Sequence, residues 1–147
     1  MAYAQMKSHL LSTVEAARPE SNPRQGFRRV TGRQTVANTP RTSGGVRKCE
    51  LVPGSSRLGS YVNGTAPKQV IQSATLVILY PKTGKIDQID EIEADKSLIR
   101  ALLEDPRSYD FGNTGWQNCS VLGDSLSEVD GGYALSLTLE LTYIGAH

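Results

Sequence analysis

Five carboxylates crowd one short stretch of the chain: Asp87, Asp90, Glu91, Glu93 and Asp95. Hard cations such as Mg2+ gather several carboxylate oxygens, so such a cluster is where a metal-dependent nuclease would be sought. Placed on a helix, however, these residues spread around the axis, and no His or Lys stands where it would serve as a base. A solvated helix start explains them better, because carboxylates suit the positive end of a helix dipole. Pro81-Lys82-Thr83-Gly84-Lys85 has the flavour of a phosphate loop, yet Ile86 follows the Gly-Lys pair where Ser or Thr is needed, and the first glycine is missing. His9 and His147 have no neighbours that would make a metal site or an acid–base pair. No Gly-x-Ser-x-Gly elbow presents a serine nucleophile. Asn63-Gly64-Thr65 and Asn118-Cys119-Ser120 fit the glycosylation pattern only as chance matches in a chain read as not secreted. Cys49 and Cys119 are far apart without CxxC spacing, and the expectation is two buried, reduced thiols. The sequence thus predicts no enzyme, no cofactor and no metal.

What the chain does carry is a charge asymmetry. Its net charge of +1 over 147 residues conceals 11 Lys and Arg against 3 Asp and Glu in residues 1–69, and 5 against 12 in residues 70–147. Arg24, Arg28, Arg29, Arg33, Arg41, Arg47 and Lys48 form a basic passage with no acid among them. A segment of that kind faces a polyanion or docks on an acidic surface. The acidic set Asp87, Asp90, Glu91, Glu93 and Asp95 is the candidate complementary face between subunits. The longest apolar run, Ala74 to Tyr80 interrupted by Thr75, falls far short of the ~20 residues that cross a bilayer. With no signal-peptide core in Met1 to Leu11, the expectation is a soluble chain made in the cytoplasm, with no membrane partner.

These residues need elements to hold them. Met6, Leu10, Val14 and Ala17 recur at helical spacing and predict a helix over Tyr3–Arg18, ended by Pro19. Phe27–Val30 predicts a short strand. Residues 31–45 are Thr, Ser, Gly, Asn and Arg with little apolar content, which predicts a long loop or arm. Val46–Val52 predicts a strand closed by Pro53-Gly54, Leu58–Val62 another, and Asn63-Gly64 a turn. Lys68–Tyr80 is apolar on both faces from Ala74 onward and should be central. Ile89, Ile92, Lys96, Ile99 and Leu103 share a stripe, predicting a helix from about Ile86 to Glu104 whose buried face is broken only at Lys96. Trp116–Leu122 and Tyr133–Ile144 predict strands joined through Asp130-Gly131-Gly132. The last alternates Tyr133, Leu135, Leu137, Leu139, Leu141 and Tyr143 on one face with polar residues on the other. The fold class expected is α+β: one domain over residues 1–147, with a mixed, mainly antiparallel sheet of about four to six strands, packed by two helices and carrying a long basic loop or arm.

The order of these elements, with "SATLVILYP", a helix ending "IRALLEDP", a Trp-bearing strand and a final "YALSLTLELTYIG", resembles the tail terminator, or tail-completion, proteins of long-tailed bacteriophages. The resemblance spans most of the chain and rests on pattern, since the family has no catalytic motif. It implies a structural virion protein located in the tail near the neck. Such a subunit forms a hexameric ring that caps the tail tube, stops tube polymerisation and joins the tail to the neck. Its partners would be further copies of itself, the tail tube protein, a neck or connector protein, and the genomic DNA that passes through the lumen. The basic segment would then face the lumen or a neighbouring subunit. A head–tail connector, neck adaptor or tail tube subunit is the nearest alternative. A sequence-independent nucleic-acid-binding protein is the alternative from another class, although residues 28–60 lack the aromatic platform that single strands favour.

Overall fold

A computed structural model describes residues 2–19, 26–30, 47–62, 65–84, 86–129 and 131–144. Arg24, Arg33, Arg41, the predicted arm at 31–45, the Asn63-Gly64 turn and His147 lie outside the described residues. The elements run α1 (Ala2–Ala16), β1 (Arg28–Arg29), β2 (Lys48–Val62), β3 (Thr65–Pro81), α2 (Gln88–Leu103), a 3-10 turn (Pro106–Ser108), α3 (Phe111–Thr114), β4 (Trp116–Val129) and β5 (Gly132–Ile144). Among the described residues five strands make one sheet in the order β1-β2-β3-β5-β4. The β1–β2 pair is parallel and the others are antiparallel. This is the α+β fold with a mixed, mainly antiparallel sheet.

The alternation read in the last strand decides the layering. Leu137 of β5 lies beside Leu76 of β3, and Leu135 beside Ile78; Leu76 in turn neighbours Leu51, and Ile78 neighbours Cys49. All are buried in one cluster with Met6, Leu10 and Val14 of α1 and Ile92, Ile99 and Leu103 of α2. Both long helices therefore cover the same sheet face. The other face carries Thr75, Val77, Ser136, Thr138 and Thr142, all partly or fully exposed. An antiparallel sheet tolerates one wet face, and central β3 is the strand that borders both layers.

Trp116 is the largest fully buried side chain. Its ring lies 4.3 Å from that of Tyr109 and meets His9 edge-on at 6.2 Å, an arrangement that suits aromatic quadrupoles. The Trp116 indole N–H donates to the Asn118 carbonyl at 3.0 Å. The Tyr109 hydroxyl donates to the Leu103 carbonyl at 2.8 Å and accepts from the Cys119 N–H at 3.2 Å, fastening the end of α2 to β4. His9, read from sequence as incidental, donates from Nε2 to the Ser108 carbonyl at 2.7 Å and so ties α1 to the 3-10 turn.

Several boundaries differ from those expected, β3 for instance beginning at Thr65 instead of Lys68, and three have a clear physical reason. Strand β2 does not stop at Pro53-Gly54. It runs through to Val62 with a register shift between Pro53 and Ser56, since a bulge absorbs the extra residue. Gln72 holds that bulge, donating from Nε2 to the Gly54 carbonyl at 2.8 Å. Strand β4 continues past Leu122 to Val129, with a further shift between Val121 and Gly123. Its polar second half hid it, because an edge strand needs few apolar residues. Helix α1 ends at Ala16, and Arg18 reaches back to the carbonyls of Glu15, Ala16 and Ala17, where a cation complements the helix terminus.

Gly132 tests the β3–β5 register. A Cβ there would run into the Tyr80 carbonyl oxygen, and backbone cannot step aside as a flexible side chain can. Gly132→Ala is expected to cost on the order of 1–3 kcal/mol in urea unfolding. At Gly123 a Cβ would meet nothing within 4 Å, so Gly123→Ala is expected to stay within about 1 kcal/mol of the parent.

Candidate functional site

The residues singled out for charge fall into two groups that sequence did not separate: those consumed inside the subunit and those left on its surface. Arg47 is 3% exposed and Asp95 1% exposed. The guanidinium Nε donates to Asp95 Oδ2 at 2.7 Å, and the Tyr80 hydroxyl donates to the same oxygen at 2.9 Å. Arg47 also lies against two rings, 5.8 Å from the centre of Phe27 and 5.9 Å from that of Tyr80, within cation–π range. Burial, followed by the adjacent Asp95 carboxylate, pushes the Tyr80 hydroxyl well above its ordinary pKa, so it remains a proton donor to Asp95 across physiological pH.

Arg47 reaches this position by an unusual backbone. Its φ of +58° is left-handed, uncommon for a residue with a Cβ. Its carbonyl accepts the Arg28 N–H at 3.1 Å, and the Cys49 carbonyl accepts the Val30 N–H at 3.0 Å. The residue just before β2 is thus bonded to β1 through its backbone and to α2 through its side chain.

The buried stripe of α2 is consequently Gln88, Ile92, Asp95, Ile99 and Leu103, rotated from the stripe predicted through Ile89 and Lys96. Asp95 was expected on a solvated, intersubunit acidic face and is instead interior. Ile89 is 40% exposed. Lys96 is half-buried at the flank, pairing with Glu93 at 2.5 Å and with Asp124 of β4 at 3.3 Å. Gln88 takes the first buried place by donating to the Pro81 carbonyl at 2.8 Å and accepting from the Thr83 N–H at 3.2 Å. A carboxylate flanked by apolar residues reads as solvated until the arginine that covers it is known, and that arginine lies 48 residues away.

Arg29 is also spent within the subunit. It donates from Nε to Glu15 Oε1 at 2.8 Å and from Nη2 to the Ser12 hydroxyl at 2.9 Å, both on α1. Arg28 and Lys48 are paired in register and stand on the opposite, open face, since the neighbouring Cys49 and Leu51 are buried under the helices. Arg28 is exposed and Lys48 half-buried, and neither has an ion-pair partner among the described residues. At the start of α2, Asp87 and Asp90 are exposed and likewise without an ion-pair partner among the described residues, while Glu91 is half-buried and Glu93 is drawn to Lys96. These positions leave a basic pair on the open sheet face, with Glu50 on the same face, and an acidic pair at the start of α2, while α1 adds Lys7 to the helix layer.

Comparison with protein-family models and with curated proteins gives no match. The site is accordingly argued from its geometry. Among the described residues no group of three or more His, Cys, Asp and Glu could hold a metal ion, and no helix is long and apolar enough to cross a membrane. Cys49 and Cys119 are free and buried. Burial, then the Glu15 carboxylate, raises the Cys49 thiol to about 12, and burial, then Glu104, raises Cys119 to about 12. At that pKa the reactive thiolate is scarce.

Two outcomes follow from this arrangement. Asp95→Ala removes the carboxylate that faces a buried guanidinium and is expected to cost about 3–5 kcal/mol of unfolding free energy, whereas Arg47→Met combined with Asp95→Leu, which removes both charges, is expected to recover most of that loss; a double-mutant cycle in urea measures both. The thiols are expected to resist a disulfide reagent at pH 8 in the folded protein and to react once denaturant is added. Rapid labelling without denaturant would contradict their burial.

Proposed function

We propose that this chain is a structural subunit of a long-tailed bacteriophage particle, the tail terminator, which assembles as a ring, hexameric by the family resemblance, that caps the tail tube and joins the tail to the neck. The observation that carries the reading is a pair of patches of opposite sign on the two sides of the subunit: Arg28 and Lys48 on the open sheet face, and Asp87 and Asp90 at the start of α2 on the helix layer. A subunit with complementary patches on opposite sides is suited to heterologous, head-to-tail contacts, which close into rings when the rotation allows. Electrostatic complementarity at such contacts favours the correct partner and its register. The buried ion pair of the interior is engaged within the subunit, as Arg47–Asp95–Tyr80, and this fits a scaffold better than a catalyst.

The same role gives the subunit its partners: further copies, the tube protein on one side, a neck or connector protein on the other, and DNA in the lumen. Loss of the gene product from the phage that encodes it is expected to yield tubes of irregular, excessive length and heads lacking joined tails under the electron microscope, with normal particles restored by supplying the protein in trans. Normal tails joined to heads in its absence would overturn the assignment. Tails of regular length that stay unjoined, or tubes that fail to form at all, would point to a neck adaptor or a tube subunit respectively.

One observation favours a second reading. Arg28 and Lys48 present two unneutralised cations on an open surface, which is the footprint of phosphate binding. Two other basic residues, Arg29 and Arg47, are already committed to carboxylates inside the subunit, so this footprint is smaller than composition suggests. A gel shift with duplex and single-stranded DNA at low and moderate salt measures it. Tight binding of free DNA that persists at moderate salt would favour a dedicated nucleic-acid-binding protein over a ring subunit.

A further inference from the structure

The open sheet face and the start of α2 match in two independent respects. Arg28 and Lys48 on the sheet oppose in sign Asp87 and Asp90 on the helix, and all four lack ion-pair partners among the described residues. Further along the same face of β2, past the half-buried Glu50, the sheet shows an apolar place, Val52, which is 43% exposed. Beside the carboxylates the helix start shows Ile86, fully exposed at 103%, and Ile89 at 40%. Large apolar side chains next to unpaired charges form a surface that gains from being covered by apolar groups and opposite charge.

The two patches cannot meet within one chain. The open face lies on one side of the sheet and α2 on the other, because α2 buries Ile92, Ile99 and Leu103 against the face that holds Leu137 and Leu76. We propose that the open sheet face around Arg28, Lys48 and Val52 receives the Ile86–Asp90 corner of α2 from a second copy of the chain. Each subunit then donates one patch and accepts the other, and the contact is heterologous. This deepens the ring reading by naming the surfaces that would join its subunits.

Pairing of sheet edges is the alternative route between copies, and each edge has an irregular stretch. On β2, Pro53 lacks an N–H and the next residues form a bulge whose carbonyls are already used: Gly54 by Gln72 at 2.8 Å and Ser55 by the Ser73 hydroxyl at 3.2 Å. On β4 the register breaks between Trp116 and Asn118 and again between Val121 and Gly123. Prolines and bulges at edges discourage strand addition along those stretches.

Charge exchange tests the proposal. Purified wild-type protein is expected to sediment above the monomer mass at low salt and to dissociate as salt rises. Arg28→Glu with Lys48→Glu makes both patches acidic, and Asp87→Lys with Asp90→Lys makes both basic. Each variant alone is expected to lose roughly tenfold or more in association constant, with its circular dichroism unchanged. An equimolar mixture is expected to reassociate, since every contact between unlike variants is again of opposite sign. Lysines at a helix start oppose the dipole; if that variant loses helix, Asp87→Asn with Asp90→Asn replaces it and is expected to weaken association and flatten its salt dependence. A wild-type protein that stays monomeric, a swapped variant that associates like the parent, or a mixture that stays apart overturns the proposal. A monomeric wild type would do so without touching the tail-length experiment, which decides the particle role separately.

Discussion

The contact on which the rest of the described structure depends is the buried pair of Arg47 and Asp95. Three elements converge on it: the start of β2 supplies the arginine, α2 the carboxylate, and β3 the Tyr80 hydroxyl that shares the same oxygen. Phe27, just ahead of β1, closes one side of the guanidinium. Charges taken out of water are costly unless they are matched in geometry and hydrogen bonding. The pair therefore contributes less to net stability than to uniqueness: with α2 rotated by one residue, Asp95 would leave both the Arg47 guanidinium and the Tyr80 hydroxyl. This fixes the rotation of α2, and with it which residues of the helix reach solvent.

That rotation is also where the sequence was hardest to read. The alternation of Tyr133 to Tyr143 and the spacing of Met6, Leu10 and Val14 were legible because burial on one face leaves a regular imprint at periods of two and 3.6. The paired strands, the central place of β3 and the α+β class followed from those imprints. On α2 the same logic favoured Ile89 over Gln88 and treated Asp95 as solvated, because periodicity counts apolar residues and cannot see a partner 48 positions away. The same blindness shortened β4, whose second half earns its pairing through backbone hydrogen bonds, and split β2 at Pro53, where a bulge carries the strand through. The basic passage was legible as a charge excess. How it divides among Glu15, Asp95 and solvent was not, since that depends on the α1–β1 and β2–α2 contacts.

Once the internal pairs are removed, the surface is simpler than the composition. Lys96 is engaged by Glu93 and Asp124, Arg100 by Glu104, Arg107 by Asp105, and Arg57 by Glu140 across the open face. Exposed pairs of this kind contribute little to stability, but they neutralise the charges they join. Among the described charges left without an ion pair are Arg28 and Lys48 on the sheet side and Asp87 and Asp90 on the helix side, with Lys7, Arg18 and Asp110 elsewhere on the helix side. A near-zero net charge thus coexists with local patches of opposite sign on the two sides of the subunit.

The two thiols give the fold a further quality. Cys49 and Cys119 sit in the core with their protons held tightly, and neither is used to staple one element to another. The architecture draws its cohesion from packing and from the Arg47–Asp95 contact, both indifferent to electron supply. The same fold therefore persists whether the surroundings are reducing, as inside a cell, or oxidising, as in open water, with no covalent rearrangement on passing from one to the other.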